Sequence, residues 1–263
     1  MSAKTGTPSL PAVVLAGGRA KPELEAVIGQ KVRALAVVHG KTLLAHVVDA
    51  LRAADPERSI TVIGDVPPAV GYTVRPDTGD FVSNLFAGIS VYADAPYVLI
   101  ATSDLPYLTG EAVADFAQSA VEMAQQQKAD LIYPVVPVAH CYARFPGVKR
   151  TALRLREGEY TGGNLMLASP RFLLDQRVRI AGAYAARKSP LRLAAILGFG
   201  TLWRLLLSQK VSPHLLTVPL LEAQVSRVLG GEARALISAY PEIATDLDRP
   251  SDFQALLPEG GAS

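Results

Sequence analysis

The sequence predicts an α/β protein with a mixed, mostly parallel sheet, and three observations carry that expectation. Short, mainly apolar runs at Val13–Ala16, Ile60–Ile63, where Thr61 is the one polar residue, and Tyr97–Ala101 lack the regular alternation of a half-exposed strand, as strands buried on both faces do. Between them lie stretches whose apolar residues recur at helical spacing behind a residue able to cap a helix. The first and third runs end in chemistry, Gly17-Gly18 after one and Asp104 after the other, at the strand ends where open α/β sheets bind ligands.

Composition sets the outer bounds. With 49% hydrophobic and 19% charged residues in 263, the chain reads as globular and long enough to bury a sizeable core. We expect one domain over 10–258 that includes a helical insertion at 170–215, a disordered or loosely ordered N-terminus at 1–9 and a tail at 259–263. A net charge of +2 argues against a nucleic-acid binder, which concentrates Lys and Arg on one face. The single Cys141 excludes an intrachain disulfide and a thiolate zinc site. Met1–Ser9 is polar and has no signal-peptide core, which points to the cytoplasm. The longest apolar region, Leu191–Leu207, is broken by Arg192 and Arg204 and falls short of a membrane span.

The first strand breaks at Gly17-Gly18 and then turns basic at Arg19 and Lys21. Paired glycines let a backbone turn tightly and approach a ligand, and free N–H groups beside two cations suit a phosphate chain. A plain turn is the other reading. Pro22–Val32 shows no clear period. After the turn His39-Gly40-Lys41, Thr42 caps a helix carrying Leu43, Leu44, Val47, Val48 and Leu51, which Asp55-Pro56 stops. Asp77–Asp80 is a loop capping a helix over Phe81–Tyr92, with Asn84 in its first turn, where free N–H groups meet a ligand or solvent.

The strand Tyr97–Ala101 runs into Thr102-Ser103-Asp104-Leu105-Pro106. A carboxylate at the mouth of a central parallel strand is placed to hold a divalent cation against a phosphate. Capping the next turn is the bland alternative, but Thr109 already serves the helix Gly110–Gln127. Asp130–Val136 reads as a strand, Ala143–Gly147 as a loop, and Thr151–Arg156 as a strand with one basic face. Tyr160–Asn164 leads into the buried strand Leu165–Ala168. There Gly162, Gly163 and Asn164 suit either a second ligand or a hairpin turn.

The stretch 170–210 is helical, apolar and basic, with Arg187 and Lys188 near its middle. Packing on the core, a homodimer or peripheral membrane contact through 189–210, or an anionic acceptor would each explain it. A helix over Leu220–Leu229 and a strand over Ala233–Ser238 follow. In Asp246-Leu247-Asp248 the two carboxylates share one side of an extended segment before Pro250, free to join Asp104 on one metal or to cap the last helix.

Five pieces in order, Leu15-Ala16-Gly17-Gly18, Gly40–Leu44, Asp104-Leu105-Pro106, Thr161–Asn164 and Asp246–Asp252, resemble the MobA-like nucleotidyltransferases over nearly the whole chain. That superfamily includes molybdenum-cofactor guanylyltransferase and the sugar-phosphate and methylerythritol-phosphate cytidylyltransferases. The resemblance implies a Rossmann-like three-layer α/β/α sandwich of GT-A type. It implies transfer of NMP from an NTP, GTP or CTP above all, to a small phosphorylated acceptor with release of pyrophosphate. Leu15, Ala16, Gly17, Gly18, Asn84 and Asp104 would then bind nucleotide, and Arg19, Lys21 and Arg33 would contact phosphate. Asp104 and Asp248, with Asp246 as substitute, would hold Mg²⁺, and Gly162, Gly163 and Asn164 would face the acceptor; Arg187 and Lys188 are added to the acceptor side by the charge of the basic stretch, not by the resemblance.

Three positions depart from the family pattern. Ala20 and Pro22 replace the serine and arginine of its glycine loop, and Arg33 replaces its signature lysine. A nucleotide-binding protein without turnover, or a nucleotide-sugar glycosyltransferase, are therefore the alternatives.

Overall fold

The computed structural model describes residues 9–146, 148, 150–186, 207 and 212–254. The strands are β1 (Ala12–Leu15), β2 (Val37–Val38), β3 (Lys41–Thr42), β4 (Ile60–Ile63), β5 (Thr73–Arg75), β6 (Val98–Thr102), β7 (Leu131–Pro137), β8 (Leu153–Leu155), β9 (Gly158–Gly162), β10 (Leu165–Ala168) and β11 (Ala233–Ile237). The helices are α1 (Pro22–Ile28), α2 (Leu43–Ala54), α3 (Phe81–Ile89), α4 (Gly110–Gln127), α5 (Val138–Arg144), α6 (Pro170–Asp175), α7 (Arg177–Ala186), α8 (Val218–Leu229) and α9 (Pro250–Gln254).

β5, β4, β1 and β6 lie side by side and parallel, and β10 then runs antiparallel between β6 and β7. β7 also pairs with β11 in parallel and with β9 antiparallel, and β8 pairs with β9. Among the described strands of this sheet only β9 and β10 run against the common direction. β2 and β3 form a separate small hairpin through His39-Gly40.

The unbroken apolar run of β1 follows from its place in this sheet. Ala12 and Val14 face α2 and α4, in a cluster with Leu44, Val47, Leu51 and Phe116. Val13 and Leu15 face the other side, against Leu85, Ile89 and Phe172 of α3 and α6. Both faces are covered, so no residue of the strand is polar. Fully burying each Val, Leu or Ile contributes about 1.5–3 kcal/mol. The layers are therefore helix, sheet and helix.

Three helix starts are built as the residue types predict. Thr42 Oγ1 accepts from Ala45 N–H and Thr109 Oγ1 from Ala112 N–H, each at 3.1 Å. The Asp80 carboxylate accepts from Val82 and Ser83 N–H at 2.9 and 3.0 Å. Each cap is worth about 1 kcal/mol.

The structure differs from expectation in four places. Within the periodless stretch Pro22–Val32 lies α1, which buries only Leu24 and is opened by Pro22 and closed by Gly29 at φ 66°. α3 stops at Ile89 and tightens into a 3₁₀ turn at Ser90–Tyr92, so it does not continue to Tyr92. α5 extends through Ala143 and Arg144, where a loop was expected. Thr161–Asn164 is no hairpin turn: it links β9 to β10, and the tight hairpin lies between β8 and β9, where Leu155 pairs with Gly158.

Of the stretch 170–210, α6 and α7 are described; Arg187, Lys188 and the proposed contact segment 189–210, Leu207 excepted, lie outside the described residues. No helix among the described residues is long and apolar enough to cross a membrane.

Candidate active site

Backbone hydrogen bonds sew four remote segments together where β1 and β6 end. Ser103 N–H donates to Leu15 O at 3.2 Å, and Thr102 N–H to Asn164 O at 3.1 Å. Asn164 N–H donates to Ile243 O at 2.9 Å, and Leu247 N–H to Asp104 O at 3.1 Å. Leu247 is buried against Leu24, Ala36, Val38, Leu43 and Phe253. Alternation along an extended segment then turns Asp246 and Asp248 away from that apolar cluster. One carboxylate oxygen from each of Asp104, Asp246 and Asp248 lies within 4.8 Å of the others, a group that could hold a metal ion.

Arg33 closes the cluster. Its backbone N–H donates to Gly18 O at 2.9 Å, which ties it to the glycine loop. Its Nη2 lies 2.9 Å from Asp104 Oδ2, and its Nη1 pairs with Asp248 Oδ1. The Asp248 carboxylate is engaged with Arg33, and at the start of α9 the Asp252 carboxylate accepts from Asp248 and Arg249 N–H at 3.2 and 2.8 Å.

Crowding of the carboxylates shows in their acidity. Burial pushes the Asp104 carboxyl above its usual range, against the pull of Arg33 and a 2.5 Å hydrogen bond from Thr102 Oγ1, and Asp248 adds repulsion. Asp246 is pushed up to about 6, by burial first and then by Asp104 and Asp248, with Arg150 opposing. Three hard oxygen donors that repel one another suit a small divalent cation such as Mg²⁺.

The glycine loop is shaped by close approach. Neither Gly17 nor Gly18 adopts positive φ. A Cβ on Gly17 would collide with the Asn84 amide and the Asp77 carboxylate, and one on Gly18 would come within 3.1 Å of the Arg33 guanidinium. Leu15 and Ala16 are buried beneath the loop.

Asn84, expected near base or ribose, is buried, with its polar atoms already engaged. Its Oδ1 accepts from Thr78 N–H and Thr78 Oγ1, both at 2.8 Å, and its Nδ2 donates to Asp77 Oδ1 at 2.6 Å. It fixes the 77–79 loop beside Gly17. Arg19 is exposed and pairs with Asp65 at 3.2 Å, and Lys21 is exposed at the start of α1. Neither forms an ion pair with the carboxylate cluster.

On the other side of the cluster lies a cavity of about 330 Å³, lined by Tyr133, Arg150, Thr161, Asn164, Asp246 and Arg249 among others. Gly162 also lines it, and a Cβ there would strike Tyr133 Oη. Gly163 does not line it; it is packed against Ile243 and Pro134. Arg150 was not visible in the sequence as a site residue. A single arginine before a short strand carries no periodic or motif signal.

The family model described as the MobA-like NTP transferase domain matches residues 12–194. A hypothetical transferase from Thermus thermophilus is 37% identical with a TM-score of 0.81, over 93% of this chain and 99% of that one. The 2-C-methyl-D-erythritol 4-phosphate cytidylyltransferase of Thermus thermophilus is 17% identical with a TM-score of 0.53, over 94% and 97%. CMP:2-keto-3-deoxy-manno-octonic acid synthetase complexed with CTP is 12% identical with a TM-score of 0.54, over 94% and 96%. These last two share the fold. No curated protein matches the chain by sequence.

Proposed function

Because the chain belongs to the MobA-like NTP transferase family and is a nucleotidyltransferase, we propose that it moves an NMP group from GTP or CTP onto a small phosphorylated acceptor, with Mg²⁺ as cofactor. The observation that carries this reading is the meeting of Asp104, Asp246, Asp248 and Arg33 beside Gly17-Gly18, at the ends of two parallel strands.

In this reading the loop at Gly17-Gly18 receives the triphosphate, held open by Asn84. Asp104, Asp246 and Asp248 would hold the metal, which offsets charge on the reacting phosphates. Arg33 lies where it can turn from the carboxylates toward a phosphate oxygen. An oxygen of the acceptor forms a bond to the α-phosphorus as the bond to the β-phosphate breaks, and pyrophosphate leaves with the electron pair. A phosphate nucleophile is ionised near neutral pH, so no side chain has to remove its proton. Cations placed around the transferring group act on the charge that builds in the transition state. The reading sets the protein in the cytoplasm, where nucleoside triphosphates are supplied.

A second reading, nucleotide binding without turnover, draws on Ala20 and Pro22 in the glycine loop. Thermal shifts with ATP, GTP, CTP and UTP, with and without Mg²⁺, followed by assay of pyrophosphate release over a panel of phosphorylated acceptors, separate the two. A triphosphate at 100 times its Kd adds about 2.7 kcal/mol of stability, an easily measured rise in Tm. A Mg²⁺-dependent shift with pyrophosphate release supports transfer. A shift without release across the panel supports the second reading, and a shift only with a UDP-sugar overturns both.

A further inference from the structure

Arg150 is buried, its side chain 5% exposed. Its Nη1 donates to Ala244 O at 2.6 Å and lies 3.5 Å from Asp246 Oδ1. Its Nε and Nη2 have no hydrogen-bond partner among the described residues. Buried polar side-chain atoms are nearly always paired, and an incompletely paired buried cation is costly. Here the orphaned pair is a particular one. Nε–H and Nη2–H form one edge of the planar guanidinium and point in parallel, the arrangement that meets two oxygens of a single oxyanion.

The surroundings supply the rest of a receptor. Arg150 lines the cavity beside Asp246, together with Thr151, Thr161 and Asn164, whose hydroxyls and amide suit an oxygen-rich molecule. The cavity, about 330 Å³, is of small-molecule size. Glu242 Oε2 is likewise buried without a partner among the described residues, so a guanidinium retained only to balance nearby acids is the competing explanation.

We infer that Arg150 is the oxyanion receptor of the acceptor site, its Nε and Nη2 edge holding two oxygens of a phosphate monoester next to the carboxylate cluster. This deepens the nucleotidyltransferase reading and rests on it. The acceptor class is a small hydroxylated phosphate monoester. The phosphate enters beside Asp246, and the hydroxyls of the same molecule meet Thr151, Thr161 and Asn164. A carboxylate presents the same two oxygens, and the experiment has an arm for it.

The test is calorimetric titration of the full chain, loaded with Mg²⁺ and an α,β-methylene analogue of the triphosphate it binds. Glycerol 3-phosphate is the probe and glycerate its carboxylate counterpart. Glycerol 3-phosphate is expected to bind the wild type, about 30-fold more weakly to Arg150→Gln and about 10-fold more weakly to Arg150→Lys, since an ammonium cannot offer the paired edge. Thr151→Val is expected to weaken it about threefold. All three variants should bind the triphosphate analogue like the wild type. Should Arg150→Gln fail to fold, Arg150→Lys and Thr151→Val carry the same contrast. Undiminished binding of glycerol 3-phosphate by the Arg150 variants, binding of glycerate alone, or binding of neither probe overturns the inference while leaving nucleotide binding intact. If no triphosphate binds, the nucleotidyltransferase reading fails first and the inference with it.

Discussion

The glycine-loop half of the site and the cavity half treat their polar side chains in opposite ways. Around Gly17 the groups are engaged with one another: Asn84 with Asp77 and Thr78, Asp80 with the start of α3, Arg19 with Asp65. Arg150, which lines the cavity, keeps two nitrogens buried without partners among the described residues, and Glu242, near the cluster in sequence, keeps one oxygen so. Arg33, which joins the halves, keeps its Nε unpaired as well. The difference teaches that the first half is rigid before any ligand arrives and offers mainly backbone. The second is left electrostatically incomplete, and a charged ligand can complete it.

The strongest way to break the comparison is at the seam. Asp104→Asn keeps the shape but removes a charge from the cluster, and we expect pyrophosphate release to fall by about 10²–10³-fold. Retained turnover would show that the carboxylates do not act as a unit. The prearranged half is tested by Asn84→Ala, which leaves Thr78 N–H without its acceptor and removes one of the two donors to Asp77 Oδ1, the other being Gly79 N–H. Urea unfolding should show a loss of about 2 kcal/mol, with weaker nucleotide binding as a consequence. A stable variant that nevertheless fails to bind nucleotide would mean that Asn84 touches the ligand itself.

The incomplete half is tested by pH. Asp246 is pushed up to about 6, so the folded protein holds a proton there that the unfolded chain, near the ordinary 3.8, has already released. Between those two values the native state binds more protons, and stability without metal falls as pH rises. A bound divalent cation displaces that proton, so with Mg²⁺ the fall between those two values flattens or reverses. Melting curves across pH 4–7.5, in chelator and in Mg²⁺, check both signs. Parallel curves would mean that the cluster does not bind the ion.

Legibility in the sequence divides along a similar line. Elements buried by pattern could be read: β1, β4 and β6 from short, mainly apolar runs, α2 from helical spacing behind Thr42, and α4 from its Thr109 cap. Strand-end position and period-two alternation marked Asp104, Asp246 and Asp248 only as separate candidates, since local signals do not bring remote segments together; the family resemblance joined them on one metal. α1 could not be read because Leu24 is its only buried residue, nor could α5, which buries only Val138 and Cys141. Arg150 was invisible for another reason. Its significance lies in the donors its neighbours leave unmatched, which is a property of the assembled cavity. Asn84 was visible, but its engagement by Asp77 and Thr78 depends on a loop conformation that no spacing rule fixes.

The smallest expected effect sharpens the comparison most finely. Arg19 belongs by position to the prearranged half, yet its contact is an exposed pair with Asp65 on a side chain 71% open to solvent. Such pairs are worth about 0–1 kcal/mol, so Arg19→Ala should leave the unfolding free energy almost unchanged. Its cost should appear as a rise of about tenfold in the KM for the triphosphate, since hydrogen bonds to charged groups contribute about 1.5–3 kcal/mol where they form. Asp65→Ala frees the same guanidinium and should leave KM unchanged or lower it. If both variants behave like the wild type, the glycine-loop half binds through backbone alone, and Arg33 is left as the arginine between the triphosphate and the carboxylates.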